Sequence, residues 1–214
     1  MCEKGKTRTK AGDGAARVFV GVSKRYRTGP HRSKRRVAPV VRGGALASEN
    51  GGKADMKVVL QRVTRAQVTV AGQPPRAIGP GLVLLVGVAA NDTLDLAPKM
   101  AAKCAELRVF EDADGKLNLS AAQLGLSALV VSNFTLLANT RKGRRPSFTE
   151  AAKPPLSVEL YQSFVQHLRD CGLAQVQTGD FGADMQVELV NDGPITLVLD
   201  SDDWRQPRHG GEKD

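Results

Sequence analysis

Met185-Gln186-Val187-Glu188-Leu189-Val190 and Ile195-Thr196-Leu197-Val198-Leu199-Asp200 flank a polar step, Asn191-Asp192-Gly193-Pro194. Each flank alternates in the manner of a half-buried strand. Asn, Asp and Gly favour turns, and Pro fixes its own φ while lacking an N–H. From the residues alone the plain reading is a polar turn joining two strands. A second reading is open, because Gly has no side chain and a Gly-Pro step can present bare backbone to a ligand.

Working back toward the N-terminus, more strands emerge. Residues 56–63 and 67–71 read as two strands split by Thr64-Arg65, and residues 72–75 as a turn. Residues 82–88 form a continuous apolar run between Pro80-Gly81 and Asn91-Asp92, which marks a central strand. Arg108-Val109-Phe110 leads into the turn Asp112-Ala113-Asp114-Gly115, and Leu117-Asn118-Leu119 continues the extended chain. That acidic turn lacks the later ligands of an EF-hand, so calcium is discounted. Residues 128–131 form a short apolar strand ending in Ser132-Asn133-Phe134-Thr135-Leu136.

Two segments carry helical spacing. Leu96, Met100, Cys104 and Leu107 fall on one face, with Asp92 or Thr93 as candidate caps. Leu156, Leu160, Phe164 and Leu168 form a second stripe, opened by Pro154-Pro155 and ended by Gly172. Most strand connections are too short for parallel crossovers. The expected architecture is therefore α+β: a mostly antiparallel, curved or barrel-like sheet with two packed helices.

The 214 residues divide unevenly in charge. Residues 1–55 hold 14 Lys and Arg against 4 Asp and Glu, whereas residues 56–214 hold 17 against 18. The excess positive charge belongs to the leader, which reads as a disordered basic segment. Its candidate roles are organelle targeting, contact with RNA phosphates, a localisation tail, or none. Residues 56–200 are the expected folded domain and residues 201–214 a flexible tail. No apolar run is long enough to cross a bilayer, so no membrane partner is expected. Three widely spaced cysteines suggest a reducing compartment and make no metal pattern.

Residues 139–148 contain Arg141, Lys142, Arg144 and Arg145, the dense basic patch of the folded part. A solvated loop is the plain reading and a phosphate contact the sharper one. There is no G-x-S-x-G elbow, phosphate loop, H-E-x-x-H or C-x-x-C. No His lies close in sequence to Ser132 or Thr135, and a hydroxyl without a base is a weak nucleophile. An enzyme built this way would suit an activated ester, whose hydrolysis needs a positioned water and donors for the oxyanion.

Ser132-Asn133-Phe134-Thr135-Leu136 and Asn191-Asp192-Gly193-Pro194-Ile195-Thr196 resemble the two motifs of the D-aminoacyl-tRNA deacylase family. Gln61-Arg62-Val63-Thr64-Arg65-Ala66, Arg145-Pro146-Ser147-Phe148 and Ala183-Asp184-Met185-Gln186-Val187 are similar to its flanking stretches. The resemblance implies a cytoplasmic homodimer that removes D-amino acids, and glycine, from the 3′ end of tRNA without metal or organic cofactor. It implies a cis Gly193-Pro194 peptide that enters the partner subunit's site, its carbonyls excluding an L side chain. It makes Ser132, Phe134 and Thr135 catalytic candidates. Gly193, Pro194, Asn133, Met185 and Arg62 become candidates for substrate binding, with Arg62 holding the Gly-Pro loop. Asn133 departs from the family's usual Gln, and its side chain is one methylene shorter. Two alternatives remain: a nucleic-acid-binding relative without the chemistry, and an L-alanine-specific relative with a trans Gly-Pro step.

Overall fold

In the computed structural model, residues 17–18 and 56–204 are described. Two long strands carry the architecture, β2 (Lys57–Val70) and β9 (Met185–Asp200). Between them in sequence come β3 (Arg76–Ile78), β4 (Gly81–Gly87), α1 (Leu96–Glu106), β5 (Arg108–Glu111), β6 (Leu117–Ser120), β7 (Ser127–Ser132), α2 (Leu156–Asp170) and β8 (Gln175–Thr178). A short strand β1 (Arg17–Val18) pairs with β9. The rest of the basic leader expected over residues 1–55 lies outside the described residues, as do residues 205–214. Ser201–Trp204 form a 3-10 turn whose first N–H donates to the Met56 carbonyl at 3.0 Å.

The main sheet runs β1-β9-β2-β4-β7-β8, with β3 paired to β2. Four strand pairs are antiparallel and two, β4–β7 and β7–β8, are parallel. The α+β expectation holds, with this refinement of the antiparallel reading. Each helix serves as one parallel crossover: α1, with the β5–β6 hairpin, links β4 to β7, and α2 links β7 to β8. The sheet curls nearly closed. Arg76 on β3 donates to the Thr178 carbonyl on β8 at 2.8 Å and to Asp180 at 2.6 Å, which ties the two ends together.

Apolar runs in β4 and β7 reflect burial on both faces. Leu82, Leu84, Val86, Ala128 and Val130 face the helices, packing with Met100, Cys104, Leu160, Phe164 and Leu168. Val83, Leu129 and Val131 fill the inside of the curl with Val63, Val68 and Val187. The helical stripes therefore pack as the spacing predicts, although Leu96, Leu107 and Leu156 are only partly buried. The cap of α1 differs from expectation. Asp95 occupies the cap position but its carboxylate accepts from Thr93 and Lys99 and not from a helix N–H, while Asp92 accepts from the Ala89 N–H at 2.7 Å and so holds the preceding turn. In the β5–β6 turn, Asp112 accepts from the Asp114 and Lys116 N–H groups at 2.9 Å and from the Asn118 amide, the chemistry of a side-chain-stapled turn.

Two local readings change. Thr64-Arg65 does not split two strands: β2 is continuous, and Val63 opposite Asn191 followed by Arg65 opposite Val190 places an extra residue there. Such a bulge lets Val63, Ala66 and Val68 share one face despite their spacing. Nor is Asn191–Pro194 a hairpin. Both flanks are one strand, β9, pairing along β2 from Val70 down to Lys57. The chain pauses at the Gly-Pro step without reversing, because extra residues of β9 bulge outward between Asn191 and Thr196.

Candidate active site

Two clusters emerge from the predicted residues. The first begins where β7 ends. Asn133 donates its N–H to the Val86 carbonyl at 2.7 Å, which anchors the chain beside β4. A 3-10 turn, Phe134–Leu137, follows directly. Asn133 caps it: its Oδ1 accepts from the Thr135 N–H at 3.1 Å and from the Thr135 hydroxyl. Gly87 permits this close seating, since a Cβ there would meet the Asn133 carbonyl oxygen at 3.0 Å and Leu136 Cβ at 3.1 Å.

This turn forms one wall of a cavity of about 120 Å³. Ser132, Asn133 and Phe134 line it on one side, and Phe181, Met185 and Val187 on another. Phe134 and Phe181 stand exposed at it, and Phe134 meets Phe148 edge-on with ring centroids 5.1 Å apart. Tyr161 lines the cavity and donates its hydroxyl to the Val130 carbonyl at 3.0 Å. Burial drives its phenol pKa upward, so it stays neutral. Ser157, also on the lining, is buried and its hydroxyl has no partner among the described residues. The walls are mainly apolar, with no His, Asp or Glu among them.

The second cluster surrounds Arg62, which is only 6% exposed. Its Nη1 donates to the Val109 carbonyl at 2.7 Å, its Nε lies 2.9 Å from Asp192 Oδ2, and its guanidinium stands 5.9 Å from the Phe110 ring centroid. The Asp192 contact is an ion pair whose angle is not that of a hydrogen bond. Asn191 donates its amide to the Arg62 and Ile195 carbonyls, both at 3.0 Å, and so closes the base of the bulge. Gly193 has φ +114°, in the region that favours glycine, and a Cβ there would approach Arg62 Nη2 at 3.3 Å. The Gly193-Pro194 peptide is cis, as the resemblance implies. Both residues are exposed.

The structure thus brings Ser132, Asn133, Phe134 and Met185 to one cavity, with Thr135 tied to Asn133 within the turn. Arg62, Gly193 and Pro194 gather elsewhere and do not line it. The Asn133 side-chain oxygen is engaged within the turn. Sequence reading passed over Tyr161, Ser157 and Phe181. The first two hide in a helical stripe, and Phe181 is a lone aromatic in a polar loop.

Among the described residues no helix is long and apolar enough to cross a membrane. The family model described as D-Tyr-tRNA(Tyr) deacylase matches residues 59–200. A D-aminoacyl-tRNA deacylase of Chloroflexus aurantiacus is 52% identical over 158 residues, covering 74% of this chain and 98% of the relative. That of Anaeromyxobacter dehalogenans is 53% identical over 146 residues, covering 68% and 97%. Among solved structures, c-Myc DNA Unwinding Element Binding Protein superposes with a TM-score of 0.63 at 42% identity, covering 67% of this chain and 97% of that one. A probable eukaryotic D-amino acid tRNA deacylase gives 0.62 at 15% identity, covering 68% and 99%, a likeness of fold. With the match spanning nearly all of the folded part and relatives above half identity, the chain belongs to the D-Tyr-tRNA(Tyr) deacylase family.

Proposed function

We propose that this protein hydrolyses the ester between a D-amino acid and the 3′ end of tRNA, with glycyl-tRNA as a second substrate, as a proofreading step in translation. The observation that carries this reading is the cavity under the Phe134–Leu137 turn, which joins the family's Ser-x-Phe-Thr segment to Met185 without any side-chain base. In the proposed reaction a water oxygen attacks the ester carbonyl carbon. The resulting oxyanion collapses, the C–O bond to the ribose breaks, and the ribose oxygen takes a proton. Free amino acid and tRNA leave.

The site's part is placement and polarity. The Thr135 hydroxyl donates to Asn133 Oδ1, so its proton is engaged and no neighbouring base draws it away. A covalent role for Thr135 is therefore disfavoured, and its place is to stiffen the turn that carries Phe134. Phe134 supplies its ring and its backbone near the ester, and Ser132, at the end of β7, stands on the same wall. The substrate's ribose 2′-hydroxyl lies within reach of the ester it neighbours and is the group available to assist the water.

Chirality is assigned to the second cluster. In one chain Gly193 and Pro194 are exposed and away from the cavity, and Asp192 and Ile195 on either side of them are held by Arg62 and Asn191. An exposed step anchored on both sides fits insertion into a second copy's site, where backbone carbonyls facing the substrate α-carbon would collide with an L side chain and tolerate hydrogen. The active form is accordingly a homodimer.

Release of labelled tyrosine from D-Tyr-tRNA tests the activity, and Pro194→Ala tests the filter. The variant should lose discrimination or activity. No release from the D-ester by the unaltered protein contradicts the first claim, and undiminished discrimination in the variant contradicts the second. A second reading, nucleic-acid binding without hydrolysis, is favoured by the name of the solved relative c-Myc DNA Unwinding Element Binding Protein and by the basic leader. DNA or RNA affinity that vanishes on removing residues 1–55, with no deacylation by either form, would support it.

A further inference from the structure

Residues 139–148 form a closed excursion beside the cavity. Asn139 and Ser147 exchange both backbone hydrogen bonds, at 2.7 and 2.9 Å, which pinches the loop at its base. Asn139 Oδ1 accepts from the Arg141 N–H at 3.1 Å, and Gly143 turns the tip with φ +70°. The loop is short and pinned, and it carries four exposed cations: Arg141, Lys142, Arg144 and Arg145. Among the described residues none of the four makes an ion pair. Four like charges held on ten residues repel one another, so an anionic partner gains by meeting them.

The loop leaves the site two residues after the Phe134–Leu137 turn, and it returns at Phe148, whose ring meets Phe134. Both of its ends are therefore fixed to the wall of the cavity. Between the loop base and residues 89–91 runs a groove of about 630 Å³, lined by Asn91, Asn139, Thr140, Arg141 and Thr149. It offers the Asn91 amide, two hydroxyls and a guanidinium, groups that contact sugars and phosphates. The one carboxylate on its lining, Glu150, accepts from the Asn139 amide at 3.3 Å.

We propose that the loop of residues 139–148 and its groove are the docking surface for the sugar-phosphate backbone of the tRNA acceptor end, just upstream of the nucleotide in the cavity. This rests on the deacylase reading for the direction in which the RNA runs. The cavity takes the terminal ester, and the basic loop takes the phosphates that precede it. Recognition here is electrostatic and independent of base identity, which suits an enzyme that must accept many tRNAs.

The test compares the full chain with its Arg141→Gln/Lys142→Gln/Arg144→Gln/Arg145→Gln variant. Affinity for uncharged tRNA is read by fluorescence anisotropy across 0.05–0.2 M salt, concentrations set by the ~10 Å Debye length at 0.1 M. Affinity for AMP, standing for the terminal nucleotide, is read alongside. The expected result is a loss of about tenfold or more in tRNA affinity, with the log–log salt dependence shallower by about 2–3, at roughly 0.7 per single-strand phosphate contact. AMP affinity should stay within about twofold, because the cavity is untouched. Parallel salt dependences with unchanged tRNA affinity would overturn the proposal. So would an equal loss of AMP affinity, which would place these side chains at the ester site. Loop-dependent tRNA binding by a protein that leaves D-Tyr-tRNA intact would uphold this surface and sink the deacylase reading alone.

Discussion

Replacing Arg62 by Met keeps most of the side-chain volume and removes the guanidinium. Arg62 is nearly buried, and its strongest contact is the 2.7 Å bond to the Val109 carbonyl. A hydrogen bond from a charged donor contributes about 1.5–3 kcal/mol. The ion pair with Asp192, whose side chain is 45% exposed, adds no more than about 1 kcal/mol after solvent screening. Together these predict a loss of about 2–4 kcal/mol, a fall in Tm of roughly 5–15 °C for a domain of this size. The functional effect should exceed the stability effect in specificity. Without Arg62 the step loses its link to β5, and a shift of about 1 Å in a positioning group costs up to about a hundredfold. Thermal unfolding, with kcat/KM for D-Tyr-tRNA and L-Tyr-tRNA on the folded variant, reads both. The D-to-L ratio should fall by about tenfold or more. Arg62→Lys should be intermediate, since one ammonium cannot serve Val109 and Asp192 together. A folded Arg62→Met protein with an unchanged ratio and a Tm within about 2 °C of the original would refute the reasoning.

Gly87→Ala places a methyl 3.0 Å from the Asn133 carbonyl oxygen, so the Phe134–Leu137 turn must lift; we expect about 1–3 kcal/mol lost in denaturant unfolding and a fall in kcat on D-Tyr-tRNA. Cys104 is fully buried, and burial first, then the neighbouring Cys171, pushes its thiol up to about 12. Iodoacetamide at pH 8 should therefore leave Cys104 unmodified in the native protein and alkylate it once unfolded, as peptide mass spectrometry would show. Hydrogen bonds from Arg76 and then Gln73 hold the Asp180 carboxyl below the usual carboxylate range. A depressed folded pKa gives stability that is present above the unfolded value, near 4, and lost as pH falls through the folded one. Asp180→Asn should therefore flatten the acid limb of Tm against pH in that window, and an unaltered limb would show that the pair does not contribute.

Much of the architecture was legible because burial leaves a period in the sequence. The run at 82–88 reads as a central strand and 128–131 as a short apolar one, and both helical stripes pack where their spacing points. What failed did so for local geometric reasons. A bulge at Thr64-Arg65 looks like a strand break, because one extra residue disrupts the alternation as a turn would. Asn191–Pro194 has turn composition, yet the strand continues through it, since β2 pairs with both flanks and overrides the local preference. Short connections dominate the chain and point to antiparallel pairing, whereas the two that carry α1 and α2 are long enough to cross. At the site, Ser132–Leu136 stood out by its polar residues at a strand end, and the structure adds that Asn133 caps the turn. No sequence pattern placed Tyr161 or Ser157 on the same cavity, because that proximity arises only when α2 packs across β7.

The central claim is hydrolysis of the D-ester with rejection of its mirror image. Single-turnover deacylation of D-Tyr-tRNA and L-Tyr-tRNA by the full-length protein, under identical conditions, tests it most directly. Rapid release from the D-ester, with a D-to-L rate ratio of at least about 100, near 3 kcal/mol of discrimination, is the predicted result. Equal release from both esters, or none from the D-ester, would contradict it.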